Sequence, residues 1–92
     1  MEIDAIDEEL LRLLNARAGL AISVGELKRS AGLSICDAER EREVVERARR
    51  ANTGPLDGRA VAKLFRRIIR ESRRVEAGAL EESAARAEGV LR

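Results

Sequence analysis

The sequence predicts an all-α domain of three helices, one long, one short and one long, and three observations carry that prediction. Hydrophobic residues make up 45% of the 92 and charged residues 38%, a mixture suited to amphipathic helices with one solvated face. Phe65 is the single aromatic side chain. Strands of a β-sandwich draw on aromatic and β-branched residues, whereas the abundant Ala, Leu, Glu and Arg favour helix. Apolar residues also recur at steps of three and four, in stretches separated by two clusters of turn-forming residues. The length suffices for one small domain with a thin core, and such chains often gain stability by pairing with a copy of themselves.

The first helix is expected over roughly Ile3 to Arg29. Ile3, Ile6, Leu10, Leu13, Leu20, Val24 and Leu27 recur at alternating threes and fours, with Leu14 and Ala21 beside them, a coiled-coil-like stripe. At ~1.5 Å per residue this helix is ~40 Å long. The remaining chain is too short to cover such a stripe, so a second copy must do so, and an intertwined homodimeric bundle is expected. Ser30-Ala31-Gly32-Leu33-Ser34 breaks the pattern and reads as a loop. Asp37 suits the N-cap of a second helix, with Glu39 and Glu41 favourable in its first turn. Val44, Val45 and Ala48 form its buried stripe, and Asn52-Thr53-Gly54-Pro55 stops it. Asp57 can start a third helix, in which Val61, Leu64, Phe65, Ile68, Ile69, Ser72, Val75, Glu76, Ala79 and Leu80 share one side. From Ser83 the residues become small and polar, so the domain is expected over 1–82, with 83–92 a frayed tail.

Composition excludes several chemistries. There is no His, and Cys36 is the only thiol, so neither a zinc site nor a His-assisted nucleophile is expected, and no internal disulfide can form. Cys36 reads as a small half-buried side chain. The acidic opening Met1-Glu2-Ile3-Asp4 lacks a signal peptide's basic and apolar segments. No apolar stretch approaches the ~20 residues needed to span a bilayer, and a cytoplasmic location is expected. Net charge is +1, which exerts no global pull toward nucleic acid.

Polar residues on otherwise apolar faces mark a candidate site. Arg17 takes a seam position between Leu13 and Leu20, and Lys28, eleven residues on, points nearly the same way. Glu41 is in register with Val44, Val45 and Ala48, and Ser72 and Glu76 share the face of Phe65, Ile68 and Ile69. Burying a charge without a partner costs roughly several kcal/mol, so two inward cations and two inward carboxylates suggest a lined polar cavity. Each has a blander reading alone: Arg17 could set register or extend its head to water, Glu41 could be a first-turn carboxylate, and Ser72 a tolerated small residue. The combination favours a cavity.

The same residues carry a resemblance. Ile3-Asp4-x-Ile6-Asp7-x-x-Leu10-Leu11-x-Leu13-Leu14-x-x-Arg17, then Val24-Gly25-x-x-Lys28, then Ile35-x-Asp37-x-x-Arg40-Glu41 are similar to the all-helical, AroQ-class chorismate mutases. Asn52-x-Gly54-Pro55-Leu56 and Leu64-Phe65-Arg66-x-Ile68-Ile69-x-x-Ser72-Arg73-x-x-Glu76 extend the match over roughly residues 2 to 80. The resemblance implies an isomerase that converts chorismate to prephenate in phenylalanine and tyrosine synthesis, without any cofactor. It implies that Arg17 and Arg40 clamp carboxylates, and that Lys28 reaches both a carboxylate and the ether oxygen. Asp37, largely through its backbone, and Glu41 would engage the ring hydroxyl, and Ser72 would bond a carboxylate. Glu76 stands where the family carries Gln or Glu facing the ether oxygen; it must hold a proton to help, since a bare carboxylate would repel the charge growing there. Arg17, Lys28 and Glu76 are thus the expected catalytic groups.

One position departs from the pattern. The family usually carries a further Arg seven residues before Asp7, which here would precede Met1; either the chain has a late or truncated start, or it lacks one carboxylate clamp. Such a charge-assisted contact is typically worth ~1.5–3 kcal/mol, about ten- to hundredfold in rate. Arg12, on the opposite and solvated face, does not substitute. Three alternatives stand beside the enzyme. The first is a non-catalytic regulatory module associated with another enzyme of the pathway. The second is nucleic-acid or membrane binding through Arg66, Arg67, Arg70, Arg73 and Arg74, which Glu71, Glu76, Glu81 and Glu82 nearby and the lack of stacking aromatics argue against. The third, a plain structural dimer, leaves the inward charges without a purpose.

Overall fold

Three helices follow one another in the computed structural model, which describes residues 1–90: α1 (Glu2–Ser30), α2 (Ala38–Ala51) and α3 (Gly58–Val90). No strand occurs among the described residues, and the all-α class and the long-short-long order are as the periodicity predicts. No helix is long and apolar enough to cross a membrane among the described residues.

Each boundary has a local cause. At the end of α1, Gly32 adopts φ 73°, a left-handed conformation that costs glycine little. The N–H of Gly32 donates to the carbonyl of Arg29 at 3.0 Å and that of Leu33 to Lys28 at 2.7 Å, the paired bonds of a Schellman cap. Asp37 caps α2, its Oδ1 accepting from the Arg40 N–H at 3.1 Å. Asn52 closes that helix and bridges the turn, its Nδ2 donating to the Leu56 carbonyl at 2.6 Å. Asp57 Oδ1 accepts from the Ala60 N–H at 2.7 Å and so opens α3.

α3 runs past Ser83, where a frayed tail is expected from sequence, and remains helical to Val90. Ala84, Ala85 and Arg86 are strong helix formers with no breaker among them, so small and polar composition did not end the helix. Residues 91–92 of that tail lie outside the described residues.

Packing places α3 between its neighbours. Val45 of α2 joins Ala62 and Ile69 of α3 in a small core, with Val44 and Phe65 against it. Glu41 reaches Arg73 and Arg49 approaches Gly58, so α2 and α3 run antiparallel. Arg17 meets Ser72, Gly25 meets Glu76, and Glu26 and Arg29 share a depression with Leu80. These contacts advance together, so α1 and α3 run parallel.

The result is a thin slab of 55 × 34 × 15 Å, barely thicker than one helix with its side chains, ~10–12 Å. Its radius of gyration is 16.2 Å, against ~12 Å for a compact domain of this length. All of residues 1–16 are exposed. Ile3, Ile6, Leu10, Leu13, Leu20 and Leu27 each keep half or more of their surface open. Leu64 and Val75 of α3 are exposed as well, on the flank of the buried stripe rather than in it. Arg12 donates to Glu9 on the solvated side of α1, and this guanidinium holds the Glu9 carboxyl below its ordinary value. Arg67 and Arg74 both pair with Glu71, at 3.0 and 3.1 Å, which engages two arginines of the basic run along their own helix.

Candidate active site

A cavity of about 350 Å³ opens where the three helices meet. Arg17, Leu20, Ala21, Val24 and Lys28 of α1 form one wall, and Ile35 and Asp37 of the connecting loop close one end. Arg40, Glu41 and Val44 of α2 and Ile69, Ser72, Arg73 and Glu76 of α3 complete it. All seven site residues expected from sequence, Arg17, Lys28, Asp37, Arg40, Glu41, Ser72 and Glu76, therefore border one space.

Polar links cross the helices inside it. Arg17 Nη1 donates to Ser72 Oγ at 2.9 Å, tying the half-buried Arg17 of α1 to the buried Ser72 of α3. One residue further along α3, Arg73 Nη2 donates to Glu41 Oε2 at 2.5 Å and ties α3 to α2. Glu76 is 6% exposed and lies against Gly25, the one buried residue of α1. Lys28 is half-buried, one turn before the cap that holds its own carbonyl.

Two residues stand differently from a simple clamp. The carboxylate of Asp37 is occupied in capping α2, and its carbonyl accepts from the Glu41 N–H at 3.0 Å. Arg40 lines the cavity, and its guanidinium pairs with the exposed Glu43 at 3.2 Å. Four basic residues (Arg17, Lys28, Arg40, Arg73) and three acidic ones (Asp37, Glu41, Glu76) border the space. Apolar Leu20, Val24, Ile35, Val44 and Ile69 separate them. Such a lining suits a small, compact anion with an apolar body. No group of His, Cys, Asp and Glu able to hold a metal stands among the described residues.

Arg73 escaped the sequence reading. It sits in a run with Arg66, Arg67, Arg70 and Arg74, and read as one more solvated cation. Its spacing, four after Ile69 and three before Glu76, places it on the inward face and was the available signal. Cys36 is a correction: it is exposed rather than half-buried. Ser34 Oγ accepts from the Cys36 N–H at 3.1 Å and donates to its carbonyl at 3.2 Å. The resulting turn sends Ile35 to the cavity and leaves Cys36 in solvent.

The sequence model of chorismate mutase type II matches residues 1–77. The chain belongs to that family. Among its chorismate mutase relatives, the bifunctional chorismate mutase/prephenate dehydratase of Aquifex aeolicus is 49% identical over 72 residues, covering 74% of this chain and 20% of that protein. The chorismate mutase of Methanocaldococcus jannaschii is 32% identical over 83 residues, covering 89% and 84% respectively. A solved chorismate mutase structure from Thermus thermophilus superposes with a TM-score of 0.80 at 34% identity, over 83% of this chain and 86% of that one. The chain spans about a fifth of the length of the bifunctional relatives. The three-helix order is thus that of an all-helical chorismate mutase family member.

Proposed function

We propose that this chain catalyses the rearrangement of chorismate to prephenate, the branch step toward phenylalanine and tyrosine. The observation that carries the reading is the convergence of Arg17, Lys28, Ser72 and Glu76 on one cavity in a chain of this family. The reaction is an intramolecular Claisen rearrangement: the ether C–O bond breaks as a C–C bond forms, with no proton or electron exchanged with the protein. The site has to hold a flexible dianion in a compact chair and oppose the negative charge growing on the ether oxygen.

In this reading Arg17 binds one carboxylate through two parallel N–H donors, and Ser72, already its partner, bonds the same group. Arg40 swings from Glu43 to the second carboxylate. Lys28 bridges a carboxylate and the ether oxygen, and Glu76 faces that oxygen from the other side. The Asp37 backbone and the Glu41 carboxylate take the ring hydroxyl, with Arg73 holding Glu41 in place. The working form is a cytoplasmic homodimer in which a second copy covers the open face of α1, and residues 1–82 are the functional unit.

Following the loss of chorismate absorbance with purified protein, beside an Arg17→Ala control, tests this. Turnover that the control abolishes is expected. A folded dimer that leaves chorismate unchanged would instead favour a regulatory module associated with another enzyme of the pathway, a reading to which the fusion of its relatives with prephenate dehydratase lends weight.

A further inference from the structure

Gly25 lies near the middle of the cavity wall that α1 provides, between Val24 and Lys28, both of which line the space. Glycine weakens a helix interior relative to alanine, so its presence inside a 29-residue helix calls for a reason. Gly19 of the same helix shows none in packing, because a Cβ built there meets nothing within 4 Å. Gly25 differs. A Cβ built there would stand 2.5 Å from Glu76 Oε1, 2.6 Å from Glu76 Cγ and 2.8 Å from Glu76 Cδ, well inside the ~3.5 Å at which carbon contacts become favourable.

All three nearest atoms belong to one side chain, and none to the α3 backbone. The two helices could therefore accept a methyl group at 25 while the Glu76 side chain could not keep its place. Glu76 is 6% exposed, so the room to retreat is on the cavity side. A displaced carboxyl would move into the space that the substrate needs.

We propose that Gly25 is a positioning residue: the missing side chain is the recess that sets where the Glu76 carboxyl stands. The proposal rests on the reading that Glu76 acts on the ether oxygen. It implies a site in which helix stability is given up at one position to place a group on the neighbouring helix. Displacement of a reacting group by ~1 Å can cost about a hundredfold in rate.

The test compares the full chain with Gly25→Ala, Gly19→Ala, Glu76→Ala and the Gly25→Ala/Glu76→Ala pair, in kcat, KM and melting temperature. Gly25→Ala should lower kcat about a hundredfold with a much smaller change in KM, while its melting temperature holds or rises. Gly19→Ala should keep wild-type turnover. In the Glu76→Ala background the Gly25 substitution should change kcat little, because nothing remains to displace. Unchanged kcat in Gly25→Ala, or an equal loss in both backgrounds, would overturn the proposal.

Should Gly25→Ala melt early, pairing it with Glu76→Asp shortens the opposing side chain by one methylene. Recovery of the melting temperature supports the recess, and its absence overturns it. If the unaltered chain does not convert chorismate, the functional reading fails, and the positioning claim is judged apart from it. The Glu76 carboxyl carbon resonance, assigned by its loss in Glu76→Gln, must shift in Gly25→Ala and stay in Gly19→Ala; an unmoved resonance counts against the recess.

Discussion

Arg17 sits at a seam position of α1 yet spends its donors inside the cavity, with Ser72 already hydrogen-bonded to it. Its charge is therefore held in place before any ligand arrives, which reduces the reorganisation a clamp would otherwise need. Arg17→Ala should remove a charge-assisted contact of ~1.5–3 kcal/mol, a loss of at least about tenfold in kcat/KM for chorismate. Ser72→Ala should weaken turnover less, since the guanidinium remains. Glu76 offers a sharper test. Glu76→Gln keeps a side chain that can donate to the ether oxygen and should retain turnover, whereas Glu76→Ala removes the contact and should lower kcat by at least about tenfold. Equal turnover in Glu76→Ala and the unaltered chain would remove Glu76 from that role. The inward cations were readable from sequence because Arg17 and Lys28 interrupt an apolar stripe. Arg73 interrupts nothing, being one of five arginines in nine residues, so only its spacing from Ile69 and Glu76 set it apart, and the fold shows its pairing with Glu41.

α2 owes its start to one side chain. Asp37→Ala removes the cap on the Arg40 N–H and should lower stability by ~0.5–2 kcal/mol, read as an earlier urea midpoint. Because the same turn carries Arg40 and Glu41, turnover should fall with it. The Arg73–Glu41 pair links α2 to α3 with both side chains about one-third exposed. Solvent screening then limits it to ~1 kcal/mol or less, measurable as the coupling in a double-mutant cycle of stability. Deleting residues 83–92 should leave turnover unchanged, and a loss would extend the functional unit along α3. Helix order and caps were legible in advance, since apolar spacing, Asp37, Asn52 and Asp57 are local signals. The far end of α3 was not, because Ala-rich helix and polar tail share a composition. The recess at Gly25 was hidden too, since a short pattern cannot report what faces a glycine across an interface.

The slab geometry bears on the proposed homodimer. Few apolar side chains are buried within one chain, while the stripe along α1 stays open from Ile3 to Leu27. A contiguous apolar surface of that extent calls for a partner, and the proposed second copy would present a stripe of the same kind. Sedimentation should give twice the chain mass, and the melting temperature should rise with protein concentration. Leu13→Glu, which places a charge on the stripe away from the cavity, should lower both. A mass that stays single at every concentration would rule the pairing out.

No large side chain among the described residues is fully sealed from solvent within the single chain. Backbone amides of an isolated copy would therefore exchange their hydrogens with deuterated water almost as soon as its helices breathe, with no region slower than the rest. In the paired form the slowest amides should appear along α1 rather than in the small core around Val45 and Ile69. Their exchange should slow further with each increase in concentration, because opening them requires the two copies to part.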